Sequence, residues 1–419
     1  MNLPTLTDED YSWGEQLRHH LSEVIIVASS SRGGSSVFTE YLRHSSALLH
    51  LRGEFNPWLH MCNLAYPHSL TGSDRLDESH VEGKEDELWA WLGTEIGNFD
   101  WGTEAWKAFP NHLKRRLQLQ WPSENIQLKH IVKAVETIQN KTPELMVAMK
   151  QAPEQFHLAL IRQLQNFGYS NLYPHWYDIS GSDLKNWGWD LEKMGPIPYF
   201  YEEPPFVLIT PWKKPTLSDL KTKPLIIKTP SNAYRLPFLL AFFRSQNVRL
   251  IHLKREPADA INGLYDGWRY PRGFHAHTLK DFHPRPCEEN GPHPSPNIWK
   301  YDLPPGWEKH KNSLLIEICA FQWCSAHQHI LNSALRDQHH FGVWFENLLG
   351  NESRQELDRL VNWLGIEVDD HLRYQKLEDL PPVMATHRPR RSRWFSRAAL
   401  IQPQLNKQIV RDLREKLHE

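Results

Sequence analysis

The chain has 419 residues, 40% hydrophobic and 23% charged, enough to bury one large core or two smaller ones, since domains commonly run to ~100–200 residues. Its 48 basic and 50 acidic side chains leave a formal net charge of -2. That balance excludes a whole-molecule field drawing the protein onto nucleic acid or a membrane surface, so any basic site is local. The first twenty residues carry acidic groups and no apolar stretch of the kind a secretory signal needs. No apolar run approaches the ~18–20 residues of a spanning helix. Cys62, Cys287, Cys319 and Cys324 are too few and too irregularly spaced for a disulfide framework. The expectation is a soluble protein of the reducing cytoplasm.

In chain order, residues 23–28 form a continuous apolar, β-branched run that predicts a strand buried on both faces of a parallel sheet. The loop Ser29-Ser-Ser-Arg-Gly-Gly-Ser-Ser36 follows at once. Val37, Phe38, Tyr41 and Leu42 then recur at helical spacing, and 48–51 reads as a second short strand. Residues 61–205 interrupt this pattern with helical stretches near 85–92, 128–139 and 154–167, in a region that holds many of the 18 tryptophans. Strand signals return at 206–209, 225–227 and 248–253, with an apolar helix at 236–243. Residues 271–312, rich in Pro, Gly and His, read as a long loop. A helix at 314–333, a strand at 342–345 and a helix at 353–364 follow, then an arginine-rich tail and a final amphipathic helix. Strands alternating with helices predict an α/β fold, a doubly wound parallel sheet carrying a large helical insertion.

In such sheets ligands bind beyond the carboxyl ends of the strands, where the first loop meets a helix start. Arg32, Gly33, Gly34, Ser35 and Ser36 occupy that place. Glycines let backbone N–H groups face an anion, the helix start adds about half a positive charge, and the two serines add hydroxyl donors. A nucleoside-triphosphatase loop would carry a Lys after its last glycine and a hydroxyl for magnesium. This loop has no such Lys, which disfavours a kinase.

Arg32 to Ser36 resembles the 5′-phosphosulfate loop of the sulfotransferase family, in which a basic residue precedes a short Ser/Gly/Thr turn. Four further segments resemble that family in the same order. Lys228-Thr-Pro-Ser-Asn-Ala-Tyr-Arg-Leu-Pro-Phe-Leu-Leu240 looks like its Lys-Thr-Pro strand end and helix, and Leu250-Ile-His-Leu-Lys-Arg-Glu-Pro-Ala-Asp259 like its 3′-phosphate segment. Trp344-Phe-Glu-Asn-Leu-Leu349 is similar to a later strand-to-helix element, and Arg388 to Arg397 to its basic C-terminal loop. The resemblance covers roughly residues 22–58 and 206–419. It implies one domain of P-loop sulfotransferase type over 1–419. Residues 61–205, longer than an ordinary crossover, are expected to form a helical lid whose aromatic side chains, including those of Trp58, Trp101 and Trp106, line an apolar acceptor pocket.

It also implies 3′-phosphoadenosine 5′-phosphosulfate (PAPS) as donor and transfer of its sulfuryl group, by in-line displacement, to a hydroxyl or amine of a small molecule. Arg32, Gly33, Gly34, Ser35 and Ser36 would hold the 5′ end and Arg255 the 3′-phosphate. The family serine that shares this phosphate is replaced by Gly263, beside Asn262, whose amide offers a substitute donor. Among Arg388, Arg390, Arg391, Arg393 and Arg397, we assign Arg391 and Arg393 to donor binding rather than to nucleic acid. Lys228 and Arg32 are the candidate cations for the leaving phosphate, and Glu54, at the end of the second strand, is the candidate general base. His60, His252, His275, His277 and His283 are the rival bases, with His252 read as a hydrogen-bonded core residue. The histidines around 275–283 match no familiar zinc pattern, so no metal is expected. The alternative is a catalytically inactive nucleotide-binding protein of the same fold.

Overall fold

The computed structural model describes residues 4–52, 57–62, 64, 72–99, 102–149, 152–189, 200–202, 205–270, 275–287, 296–333, 335, 339–350, 353–380 and 392–419. Among these, no helix is long and apolar enough to cross a membrane. The chain falls into two compact units. One comprises Met1–Asp8, Gly97–Lys214 and Arg272–His275; the other comprises Glu9–Ile96, Pro215–Pro271 and Ala276–Glu419.

The larger unit is built on five parallel strands: β1 (Glu23–Ala28), β2 (Leu49–Leu51), β3 (Leu225–Lys228), β4 (Asn247–Lys254) and β5 (His340–Trp344). Their order across the sheet is β2-β3-β1-β4-β5. The chain leaves β1 toward one edge and β4 toward the other, so the topological switch point lies between the ends of these neighbours. The alternating strands and helices of the α/β reading are therefore present, with a parallel sheet. Val24 to Ala28 are each at most 1% exposed, which explains why the β1 run is apolar at every position. On one face Ile25 and Val27 join Phe38, Tyr41 and Leu42 of helix α1 (Ser35–Arg43), together with Leu357 and Leu360. Each such aliphatic side chain, removed from water, contributes about 1.5–3 kcal/mol.

Two expectations need correction. Residues 206–209 form no strand: Phe206 makes a single parallel bridge to Tyr177, and its N–H donates to the Trp176 carbonyl at 3.0 Å. The run is apolar because Phe206 and Ile209 sit in an aromatic core with Trp121 and Tyr177, a packing role that period alone does not separate from a strand. The segment read as a loop over 271–312 contains an antiparallel pair, Ala276–Thr278 with Ile298–Lys300, and a helical turn at Trp307–His310.

The smaller unit is mainly helical, with Thr103–Gln120, Leu128–Lys141 and Pro153–Asn166 packed around Phe109, Leu117, Ile131, Phe156 and Leu160. Inside it the buried pair Arg116–Glu202 spans 3.0 Å, and Gln120 donates to the same carboxylate at 3.1 Å. Trp106 packs edge-on against Phe109 there. Trp58 belongs instead to the larger unit, where it is fully buried against Phe238 and Phe242.

Candidate functional site

The loop after β1 turns sharply because two of its residues take left-handed backbone, Arg32 at φ 62° and Gly34 at φ 88°. The Gly33 N–H donates to the Ser30 carbonyl at 3.0 Å and closes the turn. Gly34 caps α1, and the Phe38 N–H bonds to its carbonyl at 3.1 Å. A Cβ at Gly34 would stand 2.4 Å from the ring carbons of Phe345, so a larger residue there would have to displace the ring. Ser35 and Ser36 form the first turn of α1, where N–H groups lack helical acceptors.

Lys228 ends β3 opposite Val27 in the β1 register, one residue short of the end of β1. Only 7% of it is exposed, and its Nζ donates to Ser36 Oγ at 3.1 Å. Asn232, which sequence reasoning passed over, fixes this arrangement. Its Nδ2 donates to the Val27 carbonyl at 3.1 Å and the Ile227 carbonyl at 3.3 Å, tying the ends of β1 and β3 together. Nothing short of the fold could have revealed this, because Asn232 and Val27 are 205 positions apart.

Past the end of β4, Arg255 Nη1 donates to the Arg32 carbonyl at 2.5 Å. Trp323, on helix α3 (Leu315–Leu331), donates from its indole to the Arg255 carbonyl at 3.1 Å. The Arg255 guanidinium lies 5.3 Å from the Phe345 ring centroid, with Nε 3.9 Å from Glu346 Oε1. Burial lowers the pKa of Arg255, and the Glu346 and Asp259 carboxylates oppose that shift. Helix α2, formed by Pro257–Arg269, carries Asn262, Gly263 and Asp266. Asn262 Oδ1 accepts from Arg397 Nη1 at 2.7 Å, which also reaches Asp266 Oδ1 at 2.6 Å. Arg393 Nη2 stands 3.1 Å from Asp266 Oδ2. Asp266 was missed in the sequence, since a helical aspartate carries no signal of partners 131 positions away.

The structure thus places Arg32, Gly33, Gly34, Ser35, Ser36, Lys228, Arg255, Asn262 and Arg393 in one unit, about the ends of β1, β3 and β4. Glu54, Arg388, Arg390, Arg391, Trp101 and the side chain of His60 lie outside the described residues. His252 is the core residue expected: fully buried, its Nε2 2.8 Å from His327 Nδ1, its pKa driven down by burial. His277 Nε2 stands 3.2 Å from Oδ1 of the fully buried Asp74, whose Oδ2 accepts from Ser231 Oγ at 2.6 Å and the Leu303 N–H at 3.1 Å. Beside that group, Asp302 accepts from the Tyr234 hydroxyl at 2.6 Å. Burial pushes the Asp302 carboxyl up to about 6, partly opposed by the Ser31 and Tyr234 hydroxyls.

The arrangement can receive an anionic ligand that carries more than one charged group, with backbone and serine donors at the loop and cations on two sides. No family model matches the chain, and no curated protein matches it. Among solved structures, a sulfotransferase domain from the curacin biosynthetic pathway is similar at 14% identity, over 85% of this chain and 79% of that one, with a TM-score of 0.32. At that TM-score the likeness carries no weight beside the site's own residues.

Proposed function

We propose that the chain transfers the sulfuryl group of PAPS to a hydroxyl or amine of a small-molecule acceptor. The observation that carries the reading is the contact of Lys228 Nζ with Ser36 Oγ at 3.1 Å, which puts an ammonium at the first turn of the helix behind a glycine loop. Here the lysine comes from a neighbouring strand rather than from the loop itself, as the Lys-Thr-Pro resemblance implies. In the reaction the acceptor oxygen or nitrogen bonds to sulfur as the bond from sulfur to the bridging phosphate oxygen breaks. The acceptor proton passes to Glu54, and the 5′-phosphate leaves as a dianion. Charge grows on the leaving oxygen only as that bond breaks, so Lys228 and Arg32 act most strongly in the transition state. Arg255, with Asn262, Arg391 and Arg393, holds the rest of the nucleotide.

Calorimetry with 3′-phosphoadenosine 5′-phosphate, set against ATP with magnesium, tests the reading, followed by a screen of acceptors for release of the bisphosphate from PAPS. Tight binding of the bisphosphate and turnover with an acceptor are expected. Binding of ATP with magnesium in place of the bisphosphate refutes the reading, and bisphosphate binding with no turnover on any acceptor favours a nucleotide-binding protein without transferase activity. Glu54→Gln keeps the shape of the side chain and removes the base, so turnover should fall by about 10²–10⁴-fold with donor affinity nearly constant. Full turnover in that variant, with loss in His277→Ala, would move the base to the histidine.

A further inference from the structure

We propose that Asp302 is a positioning residue for the donor, which joins the glycine loop to the turn after β3 and takes up a proton as the donor's anionic groups arrive. The inference rests on the donor reading above and adds to it a group that acts through others. Asp302 is 1% exposed and lies in the larger unit, as do all the residues around it named below. Its Oδ2 accepts from the hydroxyl of Tyr234, in the turn that follows Lys228, at 2.6 Å. The hydroxyl of Ser31, the residue before Arg32, faces the same carboxyl. One buried acid thus bears on both backbone segments whose strands Asn232 ties together.

The segment that carries Asp302 is pinned on each side of it. Tyr301 holds a left-handed φ of 68°, and its hydroxyl fills the space of the side chain that Gly267 of α2 lacks, so that a Cβ there would overlap it. The Leu303 N–H donates to Asp74 Oδ2 at 3.1 Å, while the Asp302 carbonyl accepts from the Trp299 indole at 2.8 Å and from Gln322 at 2.9 Å. A backbone outlier persists where its surroundings over-determine it, and such outliers gather at functional sites. The two carboxyls of the cluster have different neighbours. Asp74 meets the His277 imidazole at 3.2 Å and the Ser231 hydroxyl at 2.6 Å, whereas Asp302 meets hydroxyls and the negative charge of Asp74. Two buried acids side by side do not both ionise readily, so the one that faces hydroxyls keeps its proton. The other charged or titratable groups here are Arg32, which acts on the Tyr301 hydroxyl, Arg235, whose Nε donates to the Asp74 carbonyl at 3.1 Å, and His329 of α3, edge-on to Tyr234. An anion arriving at the loop adds negative charge beside Asp302 and raises its carboxyl above the value of about 6 that burial sets, so binding draws in a proton. Affinity is then highest below pH 6, falls as pH rises through the value of the free protein, and levels off above that of the complex. For a rise of about one unit the fall is about eightfold between pH 5 and 8, with about half a proton taken up at pH 6.5.

Calorimetry with 3′-phosphoadenosine 5′-phosphate at pH 6.5, in two buffers of different ionisation enthalpy, measures the protons exchanged, and affinities from about pH 5 to 8 give the profile. The phosphates of the nucleotide titrate in the same range for every variant, so each variant is compared with the unaltered protein. Asp302→Asn replaces the protonated acid by an amide of the same shape. It should take up about half a proton less and lose the eightfold fall. Tyr234→Phe removes a hydroxyl that favours the ionised acid, so the fall should move to higher pH. Equal proton uptake and parallel profiles in Asp302→Asn and the unaltered protein would overturn the inference and leave the donor reading standing. Should Asp302→Asn fail to fold, an unshifted profile in Tyr234→Phe overturns the inference in its place. Failure of the unaltered protein to bind the bisphosphate at any pH would overturn the donor reading and the inference together.

Discussion

Replacing Lys228 by Met keeps most of the volume of a side chain that is only 7% exposed and removes its charge. The ammonium donates to Ser36 Oγ at 3.1 Å, so an oxygen that also accepts from Ser36 stands about 4 Å from it. At an effective dielectric constant of about 20, a unit charge at that distance is worth about 4 kcal/mol. If half a charge develops on the leaving oxygen in the transition state, the variant loses about 2 kcal/mol, or ~30-fold in kcat; a full charge gives ~1000-fold. The donor carries less charge on that oxygen than the product does. Its KM should therefore move by less than about threefold, while affinity for the bisphosphate product falls with kcat. Bisphosphate release from PAPS under saturating donor measures the first quantity, and calorimetry with the product measures the last. An unchanged kcat with a large rise in donor KM would refute the argument and reduce Lys228 to a positioning residue.

Arg255→Ala should weaken donor binding by about 2–4 kcal/mol, since a phosphate loses a charge-assisted partner; unchanged bisphosphate affinity by calorimetry would remove Arg255 from the site. Gly34→Ala combines a left-handed backbone with a Cβ 2.4 Å from the Phe345 ring, and should lower stability in urea by about 2–4 kcal/mol. Asp302 is an acid whose folded pKa is raised to about 6 from 3.8, so the folded state holds its proton over that window. Its contribution to stability is complete below about pH 4 and is lost as pH rises through 6. Asp302→Asn removes this dependence: between pH 4 and 7 the unaltered protein should lose up to about 3 kcal/mol more than the variant, and parallel profiles would contradict the assignment.

The parts of the fold legible in the sequence are those whose pattern is local. β1 and β4 announce themselves as apolar runs because they are buried on both faces, and the loop because glycine and serine mark a turn before a helix. Residues 206–209 misled for the same reason, since the burial of Phe206 and Ile209 in an aromatic core imitates the burial of a central strand. In the site, charged residues next to glycines or prolines stood out, as Arg32 and Lys228 do. Residues that act through distant partners did not. Asp74 draws its contacts from Ser231, His277 and Leu303, and Asp266 from Arg393 and Arg397, pairings that only the folded chain creates.

The Asn232 amide that ties the ends of the paired strands β1 and β3 makes the site a ruler. Because Asn232 holds the Val27 and Ile227 carbonyls at once, the start of the glycine turn and the Lys228 backbone are graduations on one scale, separated by a strand spacing. Side chains usually adapt to a ligand by changing rotamer, but this spacing belongs to the backbone. On the proposed donor reading, a donor whose anionic chain is one group longer would carry its scissile bond past the mark.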